Sequence, residues 1–132
     1  MEITYRKNAP VTAQAVADLF RSSGIRRPVD DLPRMQRMID PADFTLTAWD
    51  GDVLVGIART LTDWSHCAYL SDLAVRGEYQ KQGIGKELMA RTRTELGDEV
   101  MLLLLSAPNA MSYYPHTGYT RADNAWLIPR KS

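Results

Sequence analysis

Gln80-Lys81-Gln82-Gly83-Ile84-Gly85-Lys86 is a glycine-bearing turn between a strand-like run that ends near Val75 and an amphipathic run that begins at Ile84. A helix N-terminus carries unpaired N–H groups and about half a positive charge. No Ser, Thr, Asp or Asn immediately precedes Ile84 to cap those groups, so they are left for an anion. Glycine at 83 and 85 lets the backbone approach a bulky ligand and take dihedrals that a side chain forbids, so that successive amides converge on a diphosphate. Lys81 and Lys86 add positive charge. A tight strand-to-helix connection with no ligand needs the same two glycines, so the turn alone does not decide between them. Two other phosphate motifs are excluded by spacing. A dinucleotide fingerprint needs a third glycine where Leu88 stands, and a Walker loop needs Gly and Ser or Thr where Gln80 and Glu87 stand.

Downstream of the turn, Ile84, Leu88, Met89 and Leu96 recur on one helical face, with Glu87, Arg91 and Glu95 at i,i+4 spacing and Gly97 as a stop. A long helix is predicted from Ile84 to Leu96. Val100 to Leu105 is an unbroken apolar run too short for a helix, the pattern of a strand covered on both faces at the centre of a sheet. A short helical or turn segment around Asn109 to Tyr114 and two strand-like pieces, Tyr119 to Arg121 and Ala125 to Ile128, follow. Upstream, Cys67 to Val75 reads as a strand. Before it, Phe44 to Trp49 and the alternating Val53, Val55 and Ile57 flank the turn signal Asp50-Gly51-Asp52 of an antiparallel hairpin. Ala13, Val16, Ala17 and Phe20 share a helical face within Thr12 to Ser22, stopped by Gly24, after a strand-like start at Ile3 to Arg6. Leu32, Met35 and Ile39 mark a shorter helix that Asp30 or Asp31 can cap, with Pro33 in its first turn. The resulting order is strand, helix, helix, three strands, long helix, buried strand, short helix, strands, which is a mixed α/β sandwich.

The 132 residues contain no internal repeat, low-complexity tract or linker, so they are read as a single domain, 1–132, able to bury its own core. The sole cysteine, Cys67, has no intrachain partner, no Cys and His spacing suggests a metal site, and a reducing, cytoplasmic setting is expected. No run approaches the ~18 apolar residues of a membrane span, and Met1 to Pro10 lacks the form of a secretory leader. Sixteen Lys and Arg balance sixteen Asp and Glu, so no overall field draws the chain to nucleic acid or an anionic membrane. Any anion site is local.

The turn fits the spacing Q/R-x-x-G-x-G/A. With Leu73-Ala74-Val75 and Glu78-Tyr79 before it, it resembles the acetyl-CoA motif of the GNAT-type N-acetyltransferase superfamily. The resemblance runs from the first helix to the strand after Gly118. It implies a GNAT-like α/β (α+β) fold, with a mixed, mostly antiparallel central sheet of six or seven strands flanked by about four helices. It also implies acetyl-CoA as co-substrate, held by Gln80, Lys81, Gln82, Gly83, Ile84, Gly85 and Lys86 and by the backbone of Leu73, Ala74 and Val75. In that geometry the strand ending at Val75 splays from Val100 to Leu105, and the pantetheine arm lies in the gap. The Leu73 amide then faces the thioester carbonyl, and Val75 pairs with a pantetheine amide. Losing one oxyanion donor of this kind costs about 3 kcal/mol of barrier. Ala110, Tyr113, Tyr114, Gly118 and Tyr119 match the family pattern A-x-x-F-Y-x-x-x-G-F, which puts Tyr114 where a tyrosine protonates the departing thiolate. A phenol suits that task because it stays protonated at neutral pH. Two departures stand out. Ala107 replaces a common Asn, with Asn109 displaced by two, and Pro115 pushes Tyr114 away from helical dihedrals. Dimers are frequent in the superfamily, so a homodimer is an expectation of the same kind.

An amine nucleophile must lose a proton as it attacks. Asp72 interrupts an otherwise apolar strand beside the proposed oxyanion amide, which makes it the candidate base. Pairing with Arg59 or another cation is the competing structural role, and a water relay is a third route. Arg26 and Arg27 lie in the loop between the first two helices, which in such proteins often roofs the acceptor pocket, and they suit an acidic acceptor. Two exposed arginines beside Asp30 and Asp31 are equally what a solvated surface carries. His66 and Cys67 read as partly buried structural residues, His116 is no stronger a candidate, and Trp49, Trp64 and Trp126 read as packing residues. These features together predict transfer of an acetyl group from acetyl-CoA to a primary amine, on a small molecule or a protein, by direct attack in a ternary complex. The alternative is a non-catalytic acyl-CoA-binding regulatory or partner-binding module, suggested by the displaced Asn and by Pro115.

Overall fold

A computed structural model describes residues 2–106 and 118–131. Along the chain run β1 (Ile3–Lys7), α1 (Ala13–Ser23), α2 (Leu32–Ile39), β2 (Phe44–Asp50), β3 (Val53–Thr62), β4 (Cys67–Val75), a 3-10 turn (Gly77–Tyr79), α3 (Ile84–Leu96) and β5 (Met101–Leu104). One sheet takes the strands in the order β1-β2-β3-β4-β5; β1 to β4 are antiparallel and β5 joins β4 in parallel.

The local signals place these elements. Thr12 caps α1 by accepting from the Ala15 amide at 3.0 Å, and Gly24 ends it in the left-handed region at φ 85°. Asp31 caps α2 through the Arg34 amide at 3.1 Å, with Pro33 in its first turn. Gly97 stops α3. Each helix then buries one stripe. Ile84, Leu88, Met89 and Leu96 of α3 pack on Phe44, Leu46 and Ala48 of β2 and on Ala58 and Leu70. Val16, Leu19 and Phe20 of α1 and Met35 of α2 cover the opposite face through Leu54, Ile57 and Ala74. A three-layer α/β/α arrangement results. α3 lies close to the sheet because Gly56 has no side chain: a Cβ there would stand 3.1 Å from Leu88 Cδ1, 3.2 Å from Ile84 Cγ2 and 3.3 Å from Ala48 Cβ.

Three expectations are corrected. Among the described residues the sheet has five strands and the domain three helices, fewer than the six or seven strands and about four helices that the resemblance implied. The strands buried on both faces are β2, from Phe44 to Ala48, and β3, from Leu54 to Thr60, whereas the Val100 to Leu105 run yields β5 at the end of the described sheet, with Met101 61% exposed. An unbroken apolar run is compatible with two-sided cover, but only neighbouring elements supply that cover; among the described residues β5 pairs with β4 alone, and Leu102 and Leu104 pack on the α3 side of the sheet. Tyr119 to Arg121 and Ala125 to Ile128 form no strands. A strand exists through its ladder, these pieces show none among the described residues, and Trp126 and Ile128 are 96% and 95% exposed. The segment expected at Asn109 to Tyr114 lies outside the described residues.

Between β3 and β4 the carboxylate of Asp63 accepts from the main-chain amides of Ser65, His66 and Cys67 at 2.9, 2.8 and 3.1 Å. Those bonds lower its pKa from 3.8 to about 2. His66 and Cys67 are exposed here rather than partly buried.

Candidate active site

The site begins at an irregularity in β4. Arg59 of β3 stands opposite Asp72 and Thr60 opposite Leu70, which leaves Ser71 as an extra, bulged residue. Pairing with β5 stops at the same place. Leu70 opposite Leu104 is the last pair, and Ser71 to Val75 continue along β3 with no described strand on their other side. The Arg76 amide donates to the Val55 carbonyl at 2.8 Å, so strand alternation turns the main-chain groups of Leu73 and Val75 away from β3 and into the gap. A crevice at the carboxyl ends of parallel strands is where open α/β sheets bind ligands.

The turn after β4 is tied down on three sides. Arg76 Nε donates to the Leu54 carbonyl at 2.7 Å, and the Gly77 amide donates to Ser22 Oγ at 2.9 Å. A Cβ on Gly77 would lie 3.2 Å from the Ser22 carbonyl, so this approach of α1 depends on glycine. The Tyr79 hydroxyl donates to Asp50 Oδ2 at 2.6 Å, and that bond, with burial, raises the phenol's pKa. Gln80 turns its side chain inward, Nε2 donating to the Val75 carbonyl at 2.9 Å. Lys81 and Gly83 are both left-handed, at φ 66° and 85°. Alternating handedness of this kind curls the backbone so that its amides converge. The left-handed pair is therefore 81 and 83 rather than 83 and 85; Gly85 is the second residue of α3.

No side chain caps α3, and its first helical bond runs from the Glu87 amide to the Gly83 carbonyl at 3.0 Å. The amides of Ile84, Gly85 and Lys86 precede that bond and face the end of the helix. Ile84, 3% exposed, anchors them to the core, while Lys81, Gln82, Gly83 and Lys86 are exposed. A linked phosphate group fits this end, and an extended amide-bearing arm fits the main-chain edge beside it at Leu73 and the Val75 amide, the Val75 carbonyl being taken by Gln80.

Asp72 is brought to the gap but not as a free carboxylate. It is fully buried, with Arg27 Nε donating to Oδ1 at 2.5 Å and Arg59 Nε donating to Oδ2. Both oxygens are occupied by guanidinium groups, so the ion-pair role weighed against the base role is the one the geometry displays. Arg27 is drawn in with it. Its Nη2 donates to the Ser71 carbonyl at 2.7 Å and its Nη1 to the Arg26 carbonyl at 2.6 Å. Of the two loop arginines, Arg26 is exposed and Arg27 is committed to β4. Tyr114, with Tyr113, Asn109 and His116, lies outside the described residues. Trp49 packs beside α1 and α2, its Nε1 donating to Thr47 Oγ1 at 2.7 Å, and Trp64 stacks on Phe44 at 5.0 Å. Trp126 is not a packing residue but an exposed one.

Sequence reasoning missed Ser22, Gly56, Gly77 and the Ser71 bulge. Gly56 and Gly77 carried a signal, since glycine inside a strand or beside a helix marks a close approach. The bulge carried none.

Comparison with solved structures first fixes the class of fold. The chain superposes on a protein of Deinococcus radiodurans R1 classed as an acetyltransferase with TM-score 0.78 at 27% identity, covering 97% of this chain and 88% of that one. A GNAT-family acetyltransferase from Streptococcus pneumoniae gives 0.73 at 23% identity, with 98% and 100% covered. An aminoglycoside N-acetyltransferase solved with CoA gives 0.69 at 13% identity, with 99% and 96% covered, which bears on the fold alone. A family model described as an acetyltransferase (GNAT) domain matches residues 11–126, and the chain belongs to that family. Among curated sequences it is 31% identical over 101 residues to an uncharacterized, ycf52-like N-acetyltransferase of Prochlorococcus marinus, and 34% identical over 68 residues to the ycf52 N-acetyltransferase of Gracilaria tenuistipitata var. liui. These matches cover 72% and 50% of this chain but only 54% and 37% of those proteins.

Proposed function

We propose that the protein binds acetyl-CoA and transfers its acetyl group to a primary amine by direct attack in a ternary complex. The observation that carries this reading is the uncapped start of α3 standing beside a strand edge on which the main-chain groups of Leu73 and the amide of Val75 face the gap. Main-chain amides of Ile84, Gly85 and Lys86 hold the diphosphate, with Lys81 and Lys86 adding charge. The Leu73 amide stabilises negative charge on the thioester oxygen, and the Val75 amide orients the pantetheine arm. Tyr114 is the proposed proton donor to the departing sulfur. With both Asp72 oxygens engaged, proton removal from the amine is assigned to ordered water rather than to that carboxylate. Arg26 remains the candidate for recognising an acidic group on a small-molecule or protein acceptor.

Support comes from family membership and from the fit between the site and a long anionic thioester. Gly83→Val tests it. Space around Gly83 is open, so the variant's cost is confined to its left-handed backbone, about 1–2 kcal/mol. Acetyl-CoA affinity by calorimetry should fall at least tenfold with the fold retained; unchanged affinity contradicts the reading. One observation favours a non-catalytic acyl-CoA-binding module: Asp72, the candidate base, is locked in ion pairs. Thiol release across a panel of amines, lost on Tyr114→Phe, rules that module out.

A further inference from the structure

We propose that Arg27 is a positioning residue which, with Arg59 and Asp72, clamps the Ser71 bulge and keeps β4 apart from β5 where the gap opens. What the gap is used for rests on the acyl-transfer reading above; the clamp itself rests on the geometry.

Ser71 is the first residue beyond the last β4–β5 pair. A parallel ladder that continued past Leu70 would bring β5 to Ser71, but the Ser71 carbonyl is taken at 2.7 Å by Arg27 Nη2. The same guanidinium donates from Nε to Asp72 Oδ1 at 2.5 Å, so one planar fork spans the two residues of the bulge. Arg59 grips the bulge from β3. Its Nε reaches Asp72 Oδ2, its Nη2 reaches Ser71 Oγ at 3.0 Å and its Nη1 reaches the Met38 carbonyl at the end of α2 at 3.1 Å.

Two cations and one anion are an expensive way to fill space under a sheet, and an apolar filling would stabilise the fold as well or better. What the charged set supplies is direction. It ties the loop after α1, the end of α2, β3 and the bulge into one arrangement, and Leu73, whose main-chain groups face the gap, lies one residue beyond Asp72. Rotation of the bulge would therefore move the Leu73 amide, and a displacement of about 1 Å near reacting groups costs roughly a hundredfold in rate. The phosphate-binding end of α3 is held separately by Ser22, Asp50 and the α3 core. Loss of the clamp should thus impair turnover more than cofactor affinity.

The test uses the full chain with Arg27→Gln, and with Arg27→Lys, which keeps the charge but loses the fork. Amide hydrogen exchange by NMR is measured without any cofactor, and steady-state thiol release from acetyl-CoA is measured over a panel of amines. The clamp predicts that the β4 amides that face β3, at Asp72, Ala74 and Arg76, exchange roughly tenfold faster or more in both variants while β2–β3 amides keep wild-type rates. It also predicts that kcat falls about 10–100-fold while KM for acetyl-CoA stays within about threefold. Wild-type exchange at β4, an equal rise over the whole sheet, or full recovery in Arg27→Lys overturns the clamp. An unchanged kcat in Arg27→Gln beside an active wild type overturns its link to turnover. If the wild type itself neither binds acetyl-CoA nor releases thiol, the acyl-transfer reading fails, and the exchange data still decide the clamp.

Discussion

Asp72 shows how far one residue's meaning depends on partners distant in the chain. Its place in an apolar strand marked it as special, yet the base, ion-pair and relay roles could not be separated from the sequence, because Arg27 lies 45 residues away and meets it only once α1 has docked. Removing a partner from a buried ion pair leaves the others unpaired, at about 3–5 kcal/mol. Asp72→Ala should therefore lower Tm by roughly 10 °C or more, read by circular dichroism; a shift of a degree or two would show that the guanidinium groups find water instead. Asp63 is the opposite case, exposed and held by three main-chain amides. Its folded pKa, about 2, lies below its ordinary 3.8. The stability this adds is therefore complete above the ordinary value and disappears as pH falls through the folded one. The Tm difference between the wild type and Asp63→Asn should be constant above about pH 5 and close as pH approaches 2. A difference that held constant down to pH 2 would count against the amide cradle.

At the scale of elements, the most legible pieces were those whose period and punctuation agreed. The helix read from Ile84 to Leu96 and the strand read from Cys67 to Val75 have those bounds in the structure, and the hairpin turns at Asp50-Gly51-Asp52 as read. The last apolar run was less legible, because burial on two faces is a property of neighbours rather than of letters. The C-terminal pieces, three and four residues long, had patterns too short to specify a partner. Seating of α3 was also hidden, since Gly56 reads as a weak strand residue until a helix lies across it. Gly56→Ala should cost about 1–3 kcal/mol by overpacking against Leu88, Ile84 and Ala48. It should also weaken acetyl-CoA binding several-fold, because Ile84 begins the helix whose amides form the proposed site. Lower Tm with wild-type affinity would separate seating from binding.

For the molecule as a whole, the glycine turn and the strand before it made the proposed phosphate end legible as a place in the fold, the uncapped start of α3. The surroundings of the proposed acceptor end were not, because loop residues 25–31 and the bulge acquire their contacts only when the two helical layers close on the sheet. Charge balance over the chain leaves binding to local geometry. An open groove of about 320 Å³ on the β1 side of α3, lined by Tyr5, Arg6, Lys7 and Arg91 among others, offers a second cationic surface against which the claim is judged. There Lys7 is already paired with Glu95 at 2.7 Å, and Arg91 lies over the Tyr5 ring at 4.4 Å. The most direct measurement is a titration of the labelled protein with CoA, followed by amide NMR. Saturable shifts concentrated at Gly83 to Lys86 and at Leu73 and Val75 are the predicted result; shifts confined to Tyr5, Lys7 and Arg91, or none at millimolar CoA, would contradict it.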